Sequence, residues 1–290
     1  MDEAQFNRVI LRMTNDMREH VFPYVTAISR EVGPNEGEHL GSGVFLALRG
    51  HTYLLTNAHV ACSATSTPLA VQLSTSATSI RLRNAFHACT QPLDLAVTRI
   101  EAEPWAVKEN RCRSVLTKRL SEKHDPQDKE FLFFLGYSDK RSHFSPTFKT
   151  LSLHGTPHSS QVSDNSFQSY GPVCFGMSYN PQATIKMSSS GADLPDPHGF
   201  SGTPVWNTRF YECKMMGQRW TPEESRITGI AFGWDQDNSQ LIAIRIEYVR
   251  AFLLEALRRE AAYFHWLSRG CPQHDDLADW IWAVQTVAEL

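Results

Sequence analysis

Between Val25 and Ile246 the chain is written in short runs of β-branched, aromatic and aliphatic residues, and this pattern narrows most what it can fold into. Val25 to Arg30, Gly43 to Leu48, Thr52 to Thr56, Ala70 to Leu73, Ser79 to Arg83 and Leu95 to Ile100 form a first set. Gly, Asn, Ser and Thr separate them at hairpin distances, and Arg49-Gly50-His51 makes a tight turn. Residues 101–129 are polar and charged and contain Pro104 and Pro126. The pattern then returns in Glu130 to Tyr137, Thr147 to Leu153, Val173 to Met177, Thr184 to Met187, Thr203 to Trp206, Ile227 to Phe232 and Leu241 to Ile246. Residues 154–170, rich in Ser and containing Pro157, read as a long surface loop. About six strands suit a small barrel that closes its own edges, so each set predicts one antiparallel barrel. No sequence repeat joins the halves, so any symmetry is architectural.

Helical periodicity is confined to the two ends. Residues 4–20 carry Phe6, Val9, Ile10, Met13 and Met17 at helical spacing, and Pro23 stops the run. In residues 247–268, Val249, Phe252, Leu253, Leu257, Phe264 and Leu267 form an apolar stripe, and Gly270 follows as a stop. In residues 275–289, Leu277, Trp280, Ile281, Val284 and Ala288 make another behind Asp275-Asp276. Trp280 and Trp282 lie on different faces, which leaves one for a partner. The predicted organisation is an N-terminal helical extension (1–24), an N-terminal β-barrel (25–110), a linker (111–129), a C-terminal β-barrel (130–246) and C-terminal helices (247–290).

A chain of 290 residues, 41% of them hydrophobic, can bury a full-sized core. The net charge of -3 and the shortness of the basic clusters, such as Arg81 with Arg83, give no nucleic-acid footprint. No run reaches the ~18 apolar residues of a membrane span, and the polar start Met1 to Phe6 lacks a secretory h-region. Cys62, Cys89, Cys112, Cys174, Cys213 and Cys271 include no Cys-x-x-Cys metal or redox pair; the even count permits disulfides, but without an export signal free thiols and a cytoplasmic location are expected. The twelve histidines show no His-Glu-x-x-His or comparable ligand spacing, so no metal or other cofactor is expected.

Chemistry concentrates in three stretches. Pro195 to Val205 places Ser201 between glycines ahead of an apolar run, a turn that can present a hydroxyl and two backbone N–H groups to one space. Upstream stand Thr56-Asn57-Ala58-His59-Val60, with His59 ending a strand, and Leu93-Asp94-Leu95-Ala96-Val97, with Asp94 beginning one. An α/β-hydrolase elbow needs Gly-x-Ser-x-Gly with its acid and histidine after the serine, and neither condition is met.

The order His, Asp, Ser, with the serine in the second set of strands, resembles the trypsin/chymotrypsin-like serine peptidases. Thr56 to Val60 is similar to that family's histidine motif, Asp94 to Val97 to its aspartate motif, and Gly199 to Val205 to its Gly-x-Ser-Gly-Gly-Pro motif. Gly41-Ser42-Gly43-Val44 also fits the strand that precedes the histidine hairpin. The resemblance spans about residues 25 to 255 and implies two six-stranded barrels of chymotrypsin type in an all-β core. It also implies Ser201 as nucleophile, His59 as general base and acid, Asp94 as the group orienting His59, and the Gly199 and Ser201 N–H groups as oxyanion donors. Its specificity walls would be Pro195, Asp196 and His198, Phe232, Gly233 and Trp234, and the strand around Leu241 to Ala243.

Departures from the family refine the expectation. Phe200 precedes the serine where secreted members carry an aspartate, no Ile-Val-Gly-Gly-like start follows a basic residue, and the flanking cysteines are missing. These features resemble the intracellular, non-zymogen members. Thr203 replaces the second motif glycine, which bears on packing more than on chemistry. Pro195 falls where trypsin has its basic-selective aspartate, so no Arg or Lys preference is predicted; Asp193 and Asp196 are expected to face water. The predicted activity is hydrolysis of protein or peptide substrates through an acyl-enzyme. The alternative is a catalytically silent module of the same fold that binds peptides or acts as a scaffold. A regulatory protein acting through the terminal helices or the 154–170 loop, ordering the oxyanion loop, is the expected form of control.

Overall fold

The computed structural model describes residues 2–33, 36–63, 68–72, 79–106, 111–145, 150–162, 171–181, 184, 194–273 and 275–290. It opens with α1 (Glu3–Val21), capped by Asp2, whose carboxylate accepts the Gln5 N–H at 2.7 Å. Met13, Met17 and Val21 face inward, and a turn at Phe22–Tyr24 containing Pro23 ends the helix. The helix lies on the second sheet, where Thr14 and Ser159 share a hydroxyl hydrogen bond of 2.8 Å.

The first sheet contains β1 (Val25–Gly33), β2 (Glu36–Leu48), β3 (His51–Thr56), β4 (Leu69–Gln72), β5 (Ser79–Arg81), β6 (His87–Cys89) and β7 (Leu95–Arg99). They lie in the order β5-β4-β1-β2-β3-β7-β6, and β8 (Val115–Leu116) adds a parallel pairing to β2. The sheet thus has eight strands where six were expected. β6 and β8 span only three and two residues, too few for an alternation to register in sequence. The expected linker is therefore woven into the body, since Leu120 also bridges to Ile227 of the second sheet.

The second sheet has the expected six strands, β9 (Phe131–Ser145), β10 (Thr150–Gln161), β11 (Cys174–Ser178), β12 (Pro204–Asn207), β13 (Arg226–Asp235) and β14 (Gln240–Arg245). Their order is β10-β9-β12-β13-β14-β11, antiparallel throughout. β10 corrects the loop reading over residues 154–161. Its inward residues, Thr156 and His158, are buried but polar, so the strand alternates in burial without alternating in hydropathy. Residues 163–170 and the expected strand at Ile185 to Met187 lie outside the described residues.

Each sheet curls into a half-barrel, and one apolar cluster crosses between them. It takes Val44, Leu55 and Val97 from the first sheet, Phe133, Trp206 and Ile230 from the second, and Met13 and Met17 from α1. Separate clusters fill each half-barrel. Val60 belongs to the first and Phe200 to the second, so the residues beside His59 and Ser201 are each rooted in a different core.

Short helices α2 (Ala58–Cys62), α3 (Ala102–Trp105) and α4 (Phe210–Met215) decorate the sheets. The chain closes with α5 (Ile246–Ser268), which buries Val249, Phe252, Leu253 and Leu257. Its outer turns run past the body, and Phe264 and Leu267, assigned to the apolar stripe, are exposed. α6 (Asp276–Thr286) is turned otherwise than its stripe predicts. Asp279 and Ala283 are buried, whereas Leu277, Ile281 and Trp282 face out. The anchor is polar, because Asp279 accepts from Arg269 at 2.8 Å and lies 2.6 Å from His265 Nδ1. Among the described residues no helix is long and apolar enough to cross a membrane.

Candidate active site

β3 and β7 are hydrogen-bonded neighbours, so the ends of these strands bring His59 and Asp94 together. His59 does not end a strand, as the sequence suggested. Asn57 is still extended, at φ -87° and ψ 154°, but the chain turns helical after it and His59 sits in the first turn of α2. Asp94 occupies the left-handed region at φ 46° just before β7. Asp and Asn tolerate that conformation better than most residues. The Asn57 amide, buried beneath the site, donates to the Asp94 carbonyl at 2.8 Å. So held, the Asp94 carboxylate grips His59 twice. One oxygen accepts the His59 backbone N–H at 2.9 Å, and the other lies 2.7 Å from Nδ1. The imidazole remains half-exposed.

Ser201 stands between Gly199 at φ 92° and Gly202 at φ 89°. Neither glycine can be replaced without strain. A Cβ on Gly202 would lie 2.0 Å from the Ser42 carbonyl oxygen, and one on Gly199 would lie 2.6 Å from the His39 ring. The Ser201 hydroxyl donates to the Phe232 carbonyl at 3.4 Å. Among the described residues no hydrogen bond joins it to His59. In unliganded sites such bonds are commonly long and tighten when substrate binds. Gly41 brings the two halves close, since a Cβ there would come 2.7 Å from Val60 and 3.0 Å from the Ser201 carbonyl oxygen.

Phe200 fills the place where an aspartate was noted as missing. It is buried against Phe134 and Tyr179, at centroid distances of 5.3 and 5.8 Å. Thr203 is likewise buried, against Gly136. The N–H groups of Gly199 and Ser201 meet no acceptor among the described residues.

Of the residues expected to wall a specificity pocket, Phe232 lies at Ser201, its carbonyl accepting that hydroxyl at 3.4 Å. The Pro195 carbonyl is taken by the Tyr179 hydroxyl at 2.6 Å. Asp196 turns to its own loop, accepting the His198 N–H at 3.2 Å, with its carboxylate 3.6 Å from the exposed His198 ring. Open space lies over Gly233, and the Trp234 indole nitrogen is buried without a partner among the described residues. Leu241 pairs with Trp234 across the β13–β14 hairpin. Asp193 lies outside the described residues.

Several other histidines are held neutral by burial. Burial lowers His124 to about 3 and His158 to about 4, and burial aided by Arg119 lowers His20 to about 4. Burial likewise pushes His39 below its ordinary value. Among the described residues no group of His, Cys, Asp and Glu is placed to hold a metal. All six cysteines are free. Sequence reasoning named the histidine motif but gave no role to Asn57, Gly41 or Ser42. Their partners lie far away in the chain, and only the Gly-Ser-Gly and Thr-Asn spellings hinted at them.

A family model described as trypsin-like peptidase domain matches residues 41–210, more than half of the chain. The chain belongs to that family. A second model, described as a protein of unknown function, matches residues 259–289, the end of α5 together with α6. Among curated proteins, none matches this chain in sequence. Its two curled, mainly antiparallel sheets accord with a trypsin-like peptidase domain. Similar solved structures include the inactive form of a mutant of Rv3671c from M. tuberculosis, at 14% identity and TM-score 0.48, covering 84% of this chain and 91% of that one. The active form of the Rv3671c protease is 12% identical, with TM-score 0.46 and coverage of 83% and 84%. Catalytically inactive tobacco etch virus protease, complexed with substrate, is 14% identical, with TM-score 0.43 and coverage of 78% and 80%.

Proposed function

We propose that this trypsin-like peptidase domain is a serine endopeptidase acting on protein or peptide substrates. The observation that carries the reading is the double contact of Asp94 with His59, beside a serine held on a glycine turn in the same seam. A hydroxyl is a weak nucleophile at neutral pH and needs an adjacent base. His59 takes the Ser201 proton as the hydroxyl attacks the scissile carbonyl. The Asp94 carboxylate keeps Nδ1 protonated, leaves Nε2 to act as base, and stabilises the imidazolium that forms. The Gly199 and Ser201 N–H groups receive the oxyanion, and loss of one such donor typically lowers kcat by roughly 10²–10³. His59 then gives its proton to the leaving amine, and water repeats the sequence to release the acyl group. Six free thiols suit a reducing, cytoplasmic setting.

The second reading is a silent peptide-binding module, favoured by the Ser201 hydroxyl being turned to the Phe232 carbonyl. Profiling cleavage of a proteome digest separates the two. The serine peptidase reading expects Ser201-dependent cleavage that chelators leave unchanged. A wild-type digest identical to that of Ser201→Ala supports the silent module.

A further inference from the structure

The two N–H groups proposed to hold the oxyanion belong to peptide planes whose other edges are tied down. In a trans peptide the C=O and N–H point in opposite directions. The plane between His198 and Gly199 has its carbonyl bonded to the Asp139 N–H at 3.2 Å. The plane between Phe200 and Ser201 has its carbonyl bonded to the Thr203 N–H at 3.0 Å. Both anchors leave the Gly199 and Ser201 N–H groups pointing where no acceptor lies among the described residues.

The plane between them is turned the other way. Its N–H, from Phe200, donates to the Pro197 carbonyl at 3.0 Å. Its carbonyl, from Gly199, accepts the Ser42 hydroxyl at 2.8 Å. Ser42 is fully buried and belongs to the opposite sheet, on β2. Its Oγ also accepts the Tyr137 N–H at 3.1 Å, and its backbone N–H takes the Ser201 carbonyl at 2.7 Å. Its own carbonyl accepts the Thr56 hydroxyl at 2.8 Å, on the strand that leads to His59. One serine therefore touches the carbonyls on either side of Phe200, a β9 amide, and the approach to the histidine.

We propose that Ser42 is a positioning residue for the oxyanion loop, its hydroxyl fixing the Gly199 carbonyl so that the flanking N–H groups face the reacting carbonyl. The proposal rests on the serine peptidase reading. Without the hydroxyl, the Gly199 carbonyl and Tyr137 N–H lose a buried partner, and the loop gains an alternative in which its planes rotate.

The test is steady-state kinetics of Ser42→Ala and Ser42→Cys, with affinity for a peptide boronate, which mimics the tetrahedral adduct, measured alongside. Transition-state geometry is what the hydroxyl maintains, so kcat falls roughly 10- to 100-fold in Ser42→Ala while KM stays within about twofold, and boronate affinity falls with kcat. A purely structural role predicts a lowered melting midpoint with kcat intact in the folded fraction, and that result overturns the proposal. So does a rise in KM at unchanged kcat. If Ser42→Ala fails to fold, Ser42→Cys decides, because a thiol nearly keeps the volume but donates weakly. Wild-type kcat in folded Ser42→Cys overturns the proposal, and a roughly tenfold loss supports it. A wild-type chain that reacts with no fluorophosphonate and cleaves nothing overturns the peptidase reading itself, and this proposal with it.

Discussion

Asp94 sits in a backbone conformation that few side chains accept, and a buried amide keeps it there. Replacing Asn57 by alanine removes a buried hydrogen bond worth about 1 kcal/mol and frees the Asp94 carbonyl. Steady-state kinetics should show kcat/KM reduced roughly tenfold as the carboxylate leaves His59; an unchanged value contradicts the role given to Asn57. Asp94→Asn goes further, because the amide forces the wrong tautomer on His59, and kcat should fall by roughly 10⁴. A loss below about tenfold would mean that Asp94 does not orient the imidazole. Gly202 and Gly50 offer a steric comparison at the same scale. Both have positive φ, but a Cβ on Gly202 meets the Ser42 carbonyl while one on Gly50 meets nothing within 4 Å. Gly50→Ala should cost about 1 kcal/mol, and Gly202→Ala should prevent folding or cost several times more. Equal melting shifts would refute that packing. The sequence made His59, Asp94 and Ser201 visible as candidates because short motifs carry them. Ser42 and Asn57 stayed silent because their bonds, to Gly199 and Asp94, close over long stretches of chain.

At the scale of elements, buried histidines fasten several segments to the body. His124, in the segment between the sheets, stacks on Phe175 at 3.7 Å and meets the Thr228 hydroxyl at 2.8 Å. His158 on β10 reaches the Ser178 carbonyl at 2.9 Å. Their folded values, about 3 and about 4, lie below the unfolded value of 6.5. Between those values the unfolded chain binds more protons than the folded one. Stability is therefore fully present above pH 6.5 and is lost as pH falls, by up to about 1.4 kcal/mol per pH unit for each histidine. Denaturant titrations from pH 7.5 to 4 should show the midpoint falling below pH 6.5, and a flat profile contradicts the assignment. His158 explains why the second part of β10, from residue 154 on, was read as loop. A strand whose inward residues are Thr156 and His158 gives no apolar alternation. α6 was legible as a helix but not in its buried face, since Asp279 rather than its leucine and isoleucine is buried.

For the whole molecule, two curled sheets meet along a seam, and each contributes part of the proposed chemistry. The pattern of short runs and turns made this architecture legible, because every run had to bury one face. The number of strands in the first sheet and the joining of residues 111–129 to both sheets were not legible, because pairings of two or three residues arise from neighbours in space. Among the described residues the oxyanion loop is held by bonds within one chain, and a purified chain held by these alone should cleave peptides with a specific rate independent of protein concentration. A rate that rises steeply with concentration, or only on adding a partner, would support control through the terminal helices instead. The most direct test of the central claim is peptide mapping by mass spectrometry after treatment with a fluorophosphonate. A single adduct on Ser201, strongly diminished in His59→Ala, is the predicted result. An unlabelled Ser201 in folded wild-type protein, or labelling that does not depend on His59, would contradict it.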